Sequence, residues 1–173
     1  MRIHWRMFPL HTETPEEGIT LEQLFHTDSD RISAMVTQLK QTAISLGLAF
    51  GDRHMTYNSR KAQELGIWAE EKGLGHAFHM AVFKAYFAKG LNIAQKDILL
   101  DIARQSGLDS AEAEQILTTK RYADDVEKDW EIARSKGIQA APTFVIGDNH
   151  LVGAQNYQTL RDFLLQNSKN ISL

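Results

Sequence analysis

Apolar and polar residues alternate at the start of the chain, with Ile3, Trp5 and Met7 on one side and Arg2, His4 and Arg6 on the other. This period of two predicts a strand with one wet face over Arg2 to Phe8, ended by Pro9. A polar loop follows from His11 to Gly18, and Thr20 with Gln23 has the spacing of a capping box opening a short helix. The period then becomes helical. Ile32, Met35, Val36, Leu39, Ala43 and Leu46 share one stripe over Asp30 to Leu46, and Gly47 is placed to end that helix. Leu48 to Gly51 reads as a short extended link.

Further helices are predicted at short intervals. Asn58 to Lys72 carries Ala62, Leu65 and Ala69 on one stripe, with Asn58 as its N-cap, and stops at Gly73. Gly75 to Lys89 has Met80, Phe83 and Phe87 as its inward positions. Ile98, Leu99, Ile102 and Ala103 mark a helix closed by Gly107, and Asp109 with Glu112 has capping-box spacing ahead of Ile116 and Leu117. Tyr122, Val126, Trp130 and Ala133 define a helix from Arg121 to Lys136, followed by Gly137.

The pattern changes again at Ala140-Ala141-Pro142. Pro142 has no backbone donor and restricts Ala141 to extended geometry. Thr143 to Ile146 are β-branched or aromatic, Gly147-Asp148-Asn149 has turn chemistry, and His150, Leu151 and Val152 follow, which predicts a buried strand leading into a β-hairpin. Asn156 is placed to cap a last helix burying Leu160, Phe163 and Leu164. A lone first strand and a hairpin bury little unless they join one sheet. The pattern therefore predicts an α/β unit from residues 1–25 and 137–173, with an inserted helical subdomain over 26–136.

Length and charge narrow the function. The 173 residues suffice for one core with an insertion. With 19 basic and 22 acidic residues the net charge is -3, so electrostatics give no reason to expect nucleic acid or an anionic membrane as partner. No apolar run approaches the ~20 residues needed to span a bilayer, and the start lacks the apolar centre of a secretory signal, so a cytoplasmic location is expected. Cysteine is absent. That removes disulfides, thiolate catalysis and cysteine metal sites from what this chain does alone.

Few residues suggest other chemistry. His76 and His79 stand three apart on a predicted helix, a spacing that allows two metal ligands, but no third ligand follows and a helix surface is the simpler reading, so no metal site is expected. Asp124 and Asp125 are adjacent, so on a helix they point apart into solvent. Met80, Phe83, Tyr86 and Phe87 are read as core packing in preference to an apolar substrate groove.

Several segments together resemble a known family. Trp5-Arg6-Met7-Phe8-Pro9-Leu10, Phe83-Lys84-Ala85-Tyr86-Phe87-Ala88-Lys89-Gly90, Gly107-Leu108-Asp109, and Gly137 to Ile146 followed by Gly153-Ala154-Gln155 resemble the DsbA-type thioredoxin-fold proteins of the FrnE branch. That branch is related to kappa-class glutathione transferases and 2-hydroxychromene-2-carboxylate isomerases. The resemblance implies a thioredoxin-like sheet with a helical insertion and a thiol-disulfide oxidoreductase family. It makes Pro142 the usually cis proline before the third strand, and Ala141 and Thr143 its flanking backbone. In the family this corner holds an extended peptide or glutathione through main-chain bonds.

The resemblance also implies an earlier strand and a helix opening with Cys-x-x-Cys, or with Ser in the isomerase and transferase branches. Neither precedes Arg2 here, so the fold is expected to lack its first strand and helix and the chain to be inactive in thiol exchange by itself, with no catalytic residue assigned. Two explanations are open: the sequence is a shortened form of a longer protein, or the short form is a peptide-binding or structural module. In the second case the gap in the sheet is closed by rearrangement or by a homodimer.

Overall fold

The computed structural model of the protein describes residues 3–168. Two compact units divide it, residues 11–128 and residues 1–10 with 129–173.

The larger unit is mostly helical. It begins with a two-residue ladder, in which β1 (Ile19–Thr20) pairs antiparallel with β2 (Met55–Thr56) in the register Ile19 to Thr56 and Thr20 to Met55. The sequence pattern did not anticipate this ladder, because two residues are too few to show alternation. Gly18, at φ +83°, sits against it where a Cβ would collide with the Tyr57 ring and the Thr56 carbonyl. The expected capping box opens α1 (Leu21–Phe25): Gln23 N–H donates to Thr20 Oγ1 at 3.2 Å and Thr20 N–H donates to Gln23 Oε1 at 2.9 Å.

Helix α2 (Ser29–Ser45) forms where expected, capped by Asp28, whose Oδ1 accepts from Arg31 N–H at 2.9 Å. Its apolar stripe is only partly covered. Ile32 and Ala43 are buried, whereas Met35, Leu39 and Leu46 are 39%, 49% and 67% exposed. Amphipathic spacing specifies a face and not the presence of something to cover it.

The core of this unit is built by α3 (Arg60–Glu71), α4 (Gly75–Phe83), α5 (Lys96–Gln105) and α6 (Ser110–Thr119). Leu65, Trp68, Phe78, Leu99, Ala113 and Ile116 are all at most 2% exposed within it. The predicted stripe of α3 is correct, since Ala62, Leu65 and Ala69 are all buried. In α4 the inward face differs from the expected one: Phe78, Val82 and, just beyond, Ala85 are buried, while Met80 and Phe83 are 47% and 40% exposed. Both sets repeat at helical spacing, and the larger side chains drew the sequence reading to the wrong one. After Phe83 the helix widens into a π turn, Lys84–Ala88, closed by Lys89 N–H donating to Lys84 O at 3.2 Å.

Asp109 caps α6 through Ala111 N–H and Glu112 N–H, at 2.8 and 2.9 Å. The reciprocal half of the expected capping box is not made. Glu112 instead accepts from Trp68 Nε1 at 3.2 Å and pairs with Lys72 Nζ at 3.0 Å.

The division between units falls inside α7 (Ala123–Ser135), whose predicted inward residues Tyr122, Val126, Trp130 and Ala133 are all buried. In the smaller unit, β3 (Thr143–Ile146) and β4 (Asn149–Val152) form the expected hairpin, with Ile146 opposite Asn149 across Gly147-Asp148. The strand is less buried than expected, for Phe144 and Val145 are each 38% exposed. Asn156 caps α8 (Tyr157–Ser168) by accepting from Thr159 N–H at 2.9 Å, and Leu160, Phe163 and Leu164 are half-buried where full burial was expected.

The first predicted strand is not formed. Among the described residues 3–8 have no ladder, Arg2 lies outside them, and Ile3 and Trp5 are 70% and 43% exposed. A strand needs a partner for its N–H and C=O groups, and the hairpin does not supply one here. The segment is held by side-chain chemistry instead. Asp129, buried on α7, accepts from Met7 N–H at 2.9 Å and from Arg6 Nη1 at 2.8 Å. The expected single sheet of first strand and hairpin is therefore replaced by two separate two-stranded ladders among the described residues.

Candidate functional site

The corner before β3 is exposed and braced from both sides. The Ala141–Pro142 peptide bond is cis, and both residues face solvent while Thr143 is half-buried. Thr143 Oγ1 donates to Ala140 O at 2.6 Å, and Gly153 N–H donates to Pro142 O at 2.8 Å. Ala141 offers its own N–H and C=O with no hydrogen bond to either within the described residues.

The hairpin register assigns the remaining main-chain groups. In a two-residue hairpin the pair flanking the turn exchanges both bonds, and the pattern alternates from there. Ile146 and Phe144 thus turn to β4, and so does Pro142 through its carbonyl. Thr143 and Val145 turn their N–H and C=O to the other edge of β3, which carries no strand among the described residues. Ala141 and Thr143 thus present open main-chain groups on either side of Pro142, whose carbonyl is taken by Gly153, and no ionisable group lies among the three.

The other residues of interest fall in the helical unit. His79 is buried and lies 3.3 Å from Glu70 Oε1 through Nε2, while His76 is exposed. Burial lowers the pKa of His79, and the Glu70 carboxylate opposes that shift. No group of three or more histidine or carboxylate side chains able to hold a metal occurs among the described residues. Glu64 is also buried; its pKa is raised by that burial, against the pull of Arg60 at 3.6 Å. Tyr122 is pushed up to about 12 by burial and by its hydrogen bond to Glu71.

Asn58 is a structural connector. Its Oδ1 accepts from Arg60 N–H at 2.8 Å at the entry to α3, one residue before the Ser59 cap position, and its Nδ2 donates to Thr14 O at 2.7 Å. Asp125 pairs with Lys128 at 2.9 Å. Phe87 keeps Phe83 as a neighbour, at 6.3 Å between ring centroids, while Tyr86 and Phe87 also turn to residues outside the helix. They join a cluster with Arg53, Thr56 and Phe50 that the sequence reading did not find, since Arg53 lies in a polar stretch without periodicity.

Comparison with known proteins agrees with this architecture. The chain belongs to the DSBA-like thioredoxin domain family, whose pattern it matches over residues 1–165. Its structure is similar to the crystal structure of the probable DsbA oxidoreductase SCO1869 from Streptomyces coelicolor, with a TM-score of 0.81 at 25% identity over 88% of this chain and 67% of that one. In sequence it is 38% identical over 88 residues to the uncharacterized protein YwbO of Bacillus subtilis (strain 168), a match of 50% of this chain. That match spans 44% of YwbO, less than half its length. The fold is accordingly thioredoxin-like with a large helical part. No helix among the described residues is long and apolar enough to cross a membrane.

Proposed function

We propose that this chain is a FrnE-like member of the DsbA-like family that holds an extended peptide at the Ala141-Pro142-Thr143 corner and performs no thiol exchange by itself. The observation that carries the binding role is the exposed Ala141 main chain, whose donor and acceptor stand beside a proline braced by Thr143 and Gly153. An extended ligand pairs with such groups as one strand pairs with another. The chemical half of the proposal follows from composition. Disulfide exchange proceeds by attack of a thiolate, and the 173 residues contain no cysteine.

Two measurements test this reading. Reduction of insulin with dithiothreitol as donor should proceed at the uncatalysed rate, and catalysed turnover by this chain would overturn the second half. Titration with an extended unstructured peptide should shift the Ala141 and Thr143 amide resonances saturably. Absence of those shifts would overturn the first half. Glutathione, used as a separate titrant, tests the isomerase- and transferase-like alternative at the same corner.

The open edge of β3 supports a second reading, a homodimer joined edge to edge. Unpaired Thr143 and Val145 main-chain groups are a ready template for another strand. Sedimentation of a dimer with slow exchange at the Thr143 and Val145 amides is expected. A monomer in which those amides exchange freely would remove the dimer reading and leave the corner proposal standing.

A further inference from the structure

Arg53 has an arrangement that a purely structural role does not use up. The half-buried guanidinium lies with Cζ 4.6 Å from the Tyr86 ring centroid and 5.4 Å from that of Phe87. Nη2 donates to Tyr86 Oη at 2.5 Å and Nε to Met55 O at 3.4 Å. Tyr86 Oη is already satisfied by Thr56 Oγ1 at 3.0 Å, so the arginine is not needed to complete it. Nη1 has no protein acceptor, and no carboxylate pairs with Arg53 among the described residues.

Lysines flank the π turn that carries Tyr86 and Phe87, in a protein whose net charge is -3. Asp52, the adjacent acid, is taken by Lys40 at 2.7 Å. Residues 72–96 contain four lysines and two histidines without one aspartate or glutamate. Lys72 and Lys96 pair with Glu112 and Glu114, but Lys84 and Lys89, exposed at the two ends of the π turn carrying Tyr86 and Phe87, make no ion pair among the described residues. The link to that turn is close-fitting. Gly51 N–H donates to Phe87 O at 2.9 Å, a Cβ on Gly51 would collide with the Ala88 carbonyl, and Phe50 stacks on Phe87 at 6.1 Å.

We propose that Arg53 anchors an oxyanion site in the helical unit, binding a carboxylate or phosphate group through its Nη1 edge, with Lys84 and Lys89 supplying positive field. A guanidinium held against two aromatic rings and bonded to Tyr86 Oη loses little further freedom when it receives a planar or tetrahedral oxyanion, and its fork suits either. The site is independent of the Pro142 corner and does not rest on the peptide-binding reading.

The test follows the Arg53 Nε–H resonance of the full chain during titration with inorganic phosphate and, separately, acetate, each against sodium chloride at matched ionic strength. Saturable shifts with phosphate or acetate beyond those with chloride are expected, and the tighter of the two identifies the source of the oxyanion. Arg53→Gln should weaken the response of neighbouring amides roughly tenfold or more, as expected for loss of a charged hydrogen bond. Arg53→Lys should restore only part of it, because charge returns without the fork. Drift indistinguishable from chloride, or saturable shifts unchanged in Arg53→Gln, would overturn the site. Should Arg53→Gln fail to fold, the wild-type Arg53 resonance decides alone.

Discussion

The helical unit and the hairpin unit use the same kinds of residue to different ends. In residues 11–128 the large apolar side chains of four helices close on one another, and Leu65, Phe78 and Leu99 have no exposed surface. In residues 1–10 with 129–173 the apolar residues Ile3, Phe144, Val145 and Val152 are between 38% and 70% exposed, and polar bonds from Asp129, Asn156 and Thr143 fix much of the geometry. A helix satisfies its own backbone and needs partners only for a stripe. A strand needs partners for its edges as well. The difference teaches that the hairpin unit carries unsatisfied main-chain capacity, at Ala141 and along the outer edge of β3.

Substitutions can break that contrast. Trp68→Ala should cost about 3–5 kcal/mol in urea unfolding, because a fully buried indole is lost from a dense core. Val145→Ala on β3 should cost under ~1 kcal/mol. Similar losses at the two positions would mean that the hairpin is as tightly packed as the helices. Next in size, Asp129→Ala should cost about 1–3 kcal/mol by leaving the Met7 N–H without its acceptor, and should speed hydrogen exchange at Met7. An unchanged Met7 exchange rate would show that the side-chain tether is not what holds the first segment.

A pH titration sharpens the comparison within the helical unit. The folded-state pKa of His79 is lowered by burial, so the unfolded chain binds a proton that the folded chain resists. Its contribution to stability is complete above about pH 6.5 and falls as pH drops through the depressed folded value. Glu64 acts in the opposite sense at lower pH, since its raised pKa makes the folded state the stronger proton binder. The thermal midpoint should therefore decline from pH 7 towards pH 5, and His79→Gln should flatten that slope. The smallest effect is expected at Leu39→Ser, within ~0.5 kcal/mol, because this apolar position of α2 is half exposed.

Much of the helical architecture was legible in the residues themselves. Thr20 with Gln23, the stripe of α3 and the inward residues of α7 all follow from local spacing, and local bonds then form them. The exposed Leu39 and the missing strand ladder at residues 3–8 were not legible, because period alone does not tell whether a neighbouring element exists. In α4 two overlapping stripes compete, and the choice of Phe78, Val82 and Ala85 over Met80 and Phe83 depends on the neighbours of the helix. The Pro142 corner was legible as a place; the open main chain of Ala141 became visible only through the hydrogen bonds, and that of Thr143 and Val145 through the hairpin register. Arg53 left no periodic trace, because it lies in a polar stretch whose neighbours in space come from a later helix.

The Asp129 tether also orders events during synthesis. Its acceptors serve Arg6 and Met7, 123 and 122 positions earlier in the chain. At ~5–20 residues per second of translation, the first segment waits roughly 6–25 s for its anchor to be made. Residues 11–128 are complete before that anchor and bring together a core from their own sequence alone. The exposed Ile3 and Trp5 belong to a segment that spends this interval without its anchor, open to a chaperone on the ribosome.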